Sequence, residues 1–507
     1  MKKLFVLYLF FASGFIYAQS GTYDSTFSSD GIATECQQNT YFAVDAAFQV
    51  DGKILTFGDN YLLNRISLLR YNQNGILDTT FGIGGFLGNS INNIFPPNRA
   101  YTPGGIAIQS DNKIIIMGLQ QSDSYGNGFW VVRLLENGAA DTSFNGTGYL
   151  DVFFGTIQDR GKCIKIQPDG KIIVAGRSGN TGENFAMARI NTNGTLDTSF
   201  GINGKVQTTF FGTQSGVNSI VVQPDGKIIL GGWTNNIPNG YDFALIRYNS
   251  DGSLDSTFGN NGKVITTVDS FYSDLICKIV LQSDGKLIAG GLNRQVGGNY
   301  TLARYLPNGT LDNTFGTNGI AVTPEGSSFI MDIALQIDGK IVLAGGFDTD
   351  RVSYLRYLNN GQLDTTFPIH GGYANFGLNG YASTVLIQPD NKIVICGSLS
   401  TVFDEFGNTY LCSVVVRLNP GTLSTDSFEE ENVVVFPNPT SNEARFDNST
   451  TQFTKATVFN YLGQEVFSKN LSNSSQEMVE IGALSTGVYV LKLANGQIVK
   501  TLKIIKK

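Results

Sequence analysis

The chain has one histidine, His370, in "FPIHGGY". One imidazole with no cysteine beside it matches none of the usual zinc spacings. A serine triad would have to use His370, and the sequence has no "GxSxG" elbow and no Walker loop. A turn histidine is the default reading. Two carboxylates could still cleave a glycosidic bond without histidine, but most acids here recur at fixed intervals. Six of them stand eight residues after an arginine: Arg70–Asp78, Arg133–Asp141, Arg189–Asp197, Arg247–Asp255, Arg304–Asp312 and Arg356–Asp364. Arg417 alone breaks the rule. Two chemistries fit such acids. "NSDGSLD" offers Asn249, Asp251 and Asp255 to calcium, which takes six to eight oxygens, yet the copies "ENGAAD" and "LPNGTLD" lack several. A charge pair at constant spacing fits a structural staple better, because Arg–carboxylate pairs are directional and often bidentate. No metal or cofactor is therefore assigned, and calcium is the one candidate kept.

The elements that carry these pairs are repeats. "VVQPDGKIILGG" (221–232) is one of seven copies, with their Asp at 51, 111, 169, 225, 284, 338 and 390, spaced by 60, 58, 56, 59, 54 and 52 residues. A second phrase alternates with it: "YDSTF", "LDTTFG", "ADTSFN", "LDTSFG", "LDSTFG", "LDNTFG" and "LDTTFP", then a frayed "STDSF" at 424–428. Fixed-period self-similarity is the mark of a repeat architecture. Apolar runs flanking Asp-Gly predict a hairpin with a type I′ turn, both central residues at positive φ. Asn112 and Asn391 replace Gly there, and Asn tolerates that region. A glycine five residues after each Lys, such as Gly58 or Gly232, is expected to end the second strand. A third run carries the Arg, a loop "NxNGxLDxTFG" follows, and "GKVITT" forms a fourth. Four short strands per unit describe a propeller blade. The fold class is all-β: a seven-bladed β-propeller followed by a small C-terminal β-sandwich.

The ends divide the chain further. Residues 1–18 read as a secretory signal peptide, with Lys2, Lys3, a short apolar run and Ala18. No later run is long and uncharged enough for a membrane span. The propeller is assigned to 19–418, a linker to 419–431 and a separate domain to 432–507. Residues 19–431 carry 25 basic and 37 acidic residues, a net of −12, which argues against a nucleic-acid partner. Five scattered cysteines (36, 163, 277, 396, 412) are not a disulfide framework. Cys396 and Cys412 could pair across neighbouring strands in an oxidising compartment.

The phrases "LDxTFG" and "QxDGKI" resemble the delta-60 repeat family over residues 22–428. That resemblance implies a propeller and no general activity. The tail looks like the type A C-terminal sorting domain of type IX secretion cargo. The residues that carry this are Pro437, Asn438 and Pro439, then Gly487, Val488 and Tyr489, Gly496 in a turn, and the basic last strand around Lys503. The resemblance implies a Bacteroidota-like source, the type IX machinery and its sortase as partners, and a protein released or held at the cell surface. A monomer is expected.

Function then belongs to what does not repeat. The "DGK" turn and the "NxNGxLDxTFG" loop share one face. The variable loops, assigned to the first-to-second and third-to-fourth connections, occupy the other. The Lys-to-Arg distance varies from 16 to 25 residues. Tyr125, Trp233, Tyr241, Tyr300, Tyr354, Phe403 and Phe406 lie in these segments among Asn and Asp. Such aromatics suit stacking on a glycan or peptide, or else cap the blade edges. The reading is an exported binding module. The alternative is a carbohydrate-active enzyme, a glycosidase or lyase with carboxylates in the propeller funnel.

Overall fold

Runs such as "KIIIMG" and "KIIVAG" are apolar at consecutive positions, so their strands need cover on both faces. The computed structural model supplies it by stacking blades. It describes residues 21–36, 41–60, 65–88, 91, 93–122, 126–180, 182–210, 214–237, 240–269, 272–293, 299–323, 328–347, 351–367, 380–401, 410–420, 433, 435–449, 452–460, 465–472, 474–495 and 499–507. Ile114 and Ile116 pack with Leu55 and Phe57 of the preceding repeat, and Ile115 and Met117 with Ile172 and Val174 of the following one. One apolar cluster lies at each of the seven blade interfaces, including that of blade 7 with blade 1.

Each blade is an antiparallel meander. In blade 4, Ser215–Val222, Ile228–Ile237, Gly240–Tyr248 and Lys263–Thr266 pair in that order. Blades 1, 2, 3 and 5 repeat this with first strands Tyr41–Phe48, Ala100–Ile108, Arg160–Ile166 and Asp274–Leu281. Blade 6 has three described strands, Ser328–Leu335, Ile341–Phe347 and Arg351–Tyr357. Residues 368–379 after it, with His370, lie outside the described residues.

Blade 7 closes the ring. Gly380–Ile387, Ile393–Thr401 and Tyr410–Leu418 come from the end of the repeat array, and the outer strand Ile32–Glu35 comes from its start. The unit of sequence is thus offset from the blade by one strand. "YDSTF" belongs to the last blade, and the partner of Arg417 is Asp24, 393 residues away. A Cys36–Cys412 disulfide fastens the same seam. The Cys396–Cys412 pairing is corrected: the register sets Cys412 opposite Leu399, and Cys396 stays a buried free thiol.

Three local expectations also change. The "DGK" turn is not type I′. Gly52 N–H donates to Gln49 O, Gln49 N–H donates to Lys53 O, and positive φ falls on Gly52 but not Asp51. That is a three-residue loop with a left-handed third residue. Asp51 Oδ1 instead accepts from the Lys53 N–H, and its counterparts in the other six blades do the same. The glycine five residues after each Lys does not end its strand. Gly232 lies within Ile228–Ile237, facing a bulge between Val217 and Ser219 on the first strand. A Cβ there would sit 1.8 Å from Gly216 O, so only glycine lets the bulge close. Finally, "DGK" joins the first and second strands and "NxNGxLDxTFG" the third and fourth. The variable loops are therefore the second-to-third and the blade-to-blade connections.

The six Arg–Asp pairs and Arg417–Asp24 are all in contact, Nε to Oδ2 at 2.7 to 2.9 Å. The carboxylates are 3 to 5 % exposed and the arginines 2 to 7 %. The lysine of each "DGK" reaches the same carboxylate, at 2.8 to 3.9 Å. The other oxygen accepts from the Thr or Ser two residues on, as from Thr257 on Asp255. Each guanidinium also crosses to the next blade's "NxNG" turn or its equivalent. Arg247 donates to Pro307 O, and the contacts of Arg70, Arg133, Arg189, Arg304, Arg356 and Arg417 go to Glu136, Thr192, Ser250, Asn359, Pro420 and Gln73. Each also sits over the "TF" phenylalanine, 4.3 to 4.8 Å from the ring centre.

Residues Met1–Thr422 and Leu423–Lys507 form two compact units. In the second, Val435–Phe436, Glu443–Asp447 and Gln476–Glu480 make one sheet. Glu465–Asn470, Lys455–Phe459, Gly487–Ala494 and Val499–Lys506 make the other. Phe446, Val458, Tyr489, Leu491 and Ile504 share the core between them. Pro437 and Pro439 both follow cis peptide bonds. Asn438 Oδ1 accepts from the Ile505 N–H at 2.8 Å, so the "PNP" motif docks on the last strand, where Lys503 pairs with Val490 and Lys506 with Gly487. The Tyr489 hydroxyl donates to Ser485 O. Gly496 and the Lys503 side chain lie outside the described residues.

Two outcomes are expected. Arg247→Ala leaves Asp255 buried beside one lysine and is expected to destabilise by about 3 kcal/mol; an unchanged denaturation midpoint would refute the coupling. Acid should also open the ring. Burial alone would raise the Asp255 carboxyl, but hydrogen bonds from Thr257 and Lys227 and the Arg247 charge outweigh it and hold it well below the usual carboxylate range. Asp24, Asp197 and Asp312 are held low by the same balance, Asp78 is brought down to about 2, and Asp141 and Asp364 are lowered. A depressed folded-state pKa stabilises above the unfolded value, near about 3.9, and that stability is lost as pH falls through the folded value. Near-ultraviolet circular dichroism should therefore collapse below about pH 4; a transition confined to about pH 5 to 6 would contradict this.

Candidate functional site

Three cavities are open to ligands among the described residues: one of about 470 Å³ lies on the "DGK" face, lined by Asp51, Lys53, Asn72, Gln73 and Asn74, and two are more enclosed. The first of these two is the central channel, about 740 Å³, lined by the first strand of every blade. The bulges place Asp45, Gly105, Cys163, Ser219, Lys278, Asp332 and Thr384 at equivalent positions around it. Asp45 and Asp332 are non-repeated acids here, the feature a funnel enzyme needs. Their oxygens are occupied. Asp45 accepts from the Ala46 and Ile106 N–H groups and the Thr384 hydroxyl. Asp332 accepts from the Ile333 and Val385 N–H groups and from Lys278 Nζ at 2.9 Å. Both carboxylates thus tie the inner strand of their own blade to that of the next. Burial works against the Lys278 charge, but Asp332 and Asp45 more than offset it and hold the ammonium above its usual range. A second acid pair, Asp242 and Asp274, is wholly buried; burial, with Asp242 adding, raises Asp274 to about 7. No substrate can touch it without the surface opening.

The second cavity is a trough of about 370 Å³ on the variable-loop face, where blades 3, 4 and 5 meet. Its walls are Gln158, Arg160, Arg177, Asn180, Glu183, Gln214, Trp233 and Tyr241. Blade 4 builds one side. Its second and third strands, Ile228–Ile237 and Gly240–Tyr248, outrun the seven-residue second and third strands of blade 3. "WTNNIPNGYDF" is therefore mostly an extended hairpin rather than a loop, with Trp233 opposite Phe243 and Asn235 opposite Tyr241.

Blade 3 supplies the charge. Arg160 and Arg177 are direct cross-strand partners, an arrangement that like charges disfavour. Glu183 lies between them, 2.6 Å from Arg177 Nη1 and 3.8 Å from Arg160 Nε. Burial lowers the Arg177 pKa, Glu183 opposes that, and Arg160 adds to it. Arg160 Nε is buried with no hydrogen-bond partner. The Arg177 guanidinium sits over the Trp233 ring, 5.7 Å from its centre, and Gly216 lies beneath the indole, where a Cβ would come within 3.0 Å. Tyr241 tilts against Trp233 at 4.5 Å and its hydroxyl donates to Gln214 Oε1.

Of the seven aromatic candidates, the structure brings Trp233 and Tyr241 together. Trp233 is only 8 % exposed, so it offers a ligand little stacking surface, and its ring lies against the Arg177 guanidinium. Tyr300 and Tyr354 are 3 % exposed and belong to the interfaces of blades 5 with 6 and 6 with 7. The Tyr300 hydroxyl meets Gly346 O and Ser353, so these two cap blades instead of facing a ligand. Tyr125, Phe403 and Phe406 lie outside the described residues. Sequence reasoning missed Arg160, Arg177 and Glu183. A signal existed, because Arg177 follows the repeated glycine where other copies carry Asp59, Leu119, Trp233, Leu292, Gly346 and Ser398.

Residues 49–81, 109–144, 167–200, 223–258, 282–315, 336–367 and 388–427 match the domain of unknown function (DUF5122) beta-propeller, and residues 434–507 match the secretion system C-terminal sorting domain. The chain is a seven-repeat DUF5122 β-propeller with a type IX sorting tail. Such a tail implies handling by the secretion machinery and export to the surface or the medium. No curated protein matches the chain. Among solved structures, it is similar to a catalytically inactive virginiamycin B lyase from Staphylococcus aureus with quinupristin (10 % identity, 76 % of this chain and 98 % of that one, TM-score 0.42). It is also similar to a PL25 ulvan lyase (11 %, 78 % and 95 %, TM-score 0.44) and to Drosophila semaphorin 1a (8 %, 78 % and 89 %, TM-score 0.43). These likenesses transfer no activity to this chain. Among the described residues no helix is long and apolar enough to cross a membrane.

Proposed function

We propose that this exported propeller is a surface or extracellular binding module whose ligand sits on the variable-loop face. One observation carries the reading. The repeated arginines and buried acids of the "DGK" face are consumed by the seven Arg–Asp–Lys clusters, whereas the trough around Arg177 gathers charged and amide side chains that no blade needs for closure. Loops on a rigid scaffold are where binding usually evolves. The channel favours the enzyme reading less, since the oxygens of Asp45 and Asp332 are already taken by neighbouring N–H groups and Lys278. The route to the surface completes the proposal: residues 1–18 act as signal peptide in a Bacteroidota-like cell, and a sortase removes the tail and leaves a monomeric propeller released or attached.

Two measurements test this. The purified propeller, applied to a glycan and peptide array with and without calcium, should bind a defined ligand set; a blank array in both conditions sinks the binding-module reading. Deleting 432–507 should leave a folded propeller that accumulates in the periplasm. Normal export of the truncated chain would remove the sorting role from the tail.

A further inference from the structure

The trough where blades 3, 4 and 5 meet holds two arginines for one carboxylate, in a body whose residues 19–431 carry a net charge of −12. Arg160 and Arg177 face each other directly across two strands, which costs stability unless an anion compensates. Glu183 compensates only one charge. It grips Arg177 at 2.6 Å and stands 3.8 Å from Arg160 Nε, beyond hydrogen-bond range. Arg160 Nε is left without a hydrogen-bond acceptor, while the side chain as a whole is 41 % exposed and open to a ligand. Arg177 is nevertheless held in place. Trp233 clamps Arg177 from below, and Gly216 makes room for the indole.

We infer that the trough is a binding site for an acidic saccharide, with the uronate carboxylate seated on Arg160 and Arg177. The reading rests on the binding-module proposal above and names its ligand class. A planar carboxylate matches a guanidinium fork bidentately. Around it, Gln158 and the amide nitrogens of Asn180 and Gln214 present polar groups that hydroxyl-rich ligands need, while Asn180 Oδ1 accepts from the Ile157 N–H and the Tyr241 hydroxyl donates to Gln214 Oε1. The cavity, about 370 Å³, is at the small end for ligand sites. An extended acidic peptide fits less well. The strands bordering the trough are already paired on the sides that face it, Arg160 with Arg177 and Asn235 with Tyr241, so a peptide finds no strand edge to join. Glu183 acts as an internal stand-in for the ligand carboxylate and competes with it.

The experiment is calorimetric titration of the full chain with trigalacturonate, and with the same trimer fully methyl-esterified. Trigalacturonate should bind, and esterification should weaken it at least about tenfold, the scale of one charge-assisted pair. Arg177→Gln and Arg160→Gln should each cost a similar factor. Glu183→Gln should tighten binding several-fold, which a purely structural carboxylate would not do. Thermal melts and circular dichroism of each variant separate lost binding from lost folding. If Arg177→Gln unfolds the blade, Glu183→Gln and Arg160→Gln still decide the matter. Equal binding of acid and ester leaves a glycan-binding module but overturns the acidic ligand. The acidic ligand is also overturned if peptides bind an array while trigalacturonate does not bind, or if Glu183→Gln leaves the affinity unchanged.

Discussion

Asp255 accepts from Arg247, Lys227 and Thr257 at once, and the same guanidinium reaches Pro307 O in the next blade. Seven copies of this contact run around the ring. A buried carboxylate is tolerable only when its lone pairs are filled, and a buried guanidinium only when its donors are. Each cluster satisfies both by drawing on two adjacent blades, so no blade completes its own polar network. The phenylalanine under each arginine and the apolar cluster at each interface add the same dependence from the hydrophobic side. Neighbouring blades therefore need each other, and the ring must close. The strand Ile32–Glu35, Asp24 and the Cys36–Cys412 bond close it together.

That constraint fixes where variation is allowed. The "DGK" face and the third-to-fourth-strand turns are committed to the clusters. The inner strands are committed to bulges, each facing a glycine, and to side chains such as Asp45, Ser219 and Asp332 that cap the N–H of the next blade. What remains free is the opposite face, where blade 4 lengthens its hairpin and blade 3 places two arginines. A binding site there leaves closure untouched, because none of its charged residues belongs to a cluster.

The tail follows a separate logic. Its "PNP" segment is bound to the last strand through Asn438, and its core needs only its own two sheets. A signal that is read after the propeller has been made is best carried by a unit that folds on its own contacts.

The sequence by itself determined the blade count, the all-β class and the sorting tail. Phrases such as "QPDGKIIL" and "LDSTFG" encode turn chemistry and charge pairs that act over a few residues, and local physics is what a linear pattern preserves. Turn type was less legible, since Asp-Gly suits both a type I′ turn and a three-residue loop, and the neighbouring Lys N–H decides for the latter. Tertiary structure alone decided the partner of Arg417, the pairing of Cys36, and the strand that completes blade 7. These join residues more than 370 positions apart, where spacing carries no information. It alone decided the trough as well. Trp233 and Tyr300 look alike in sequence, but one borders a cavity and the other packs between blades. Arg160 and Arg177 become a pair only through strand register, which places them opposite one another across a hairpin.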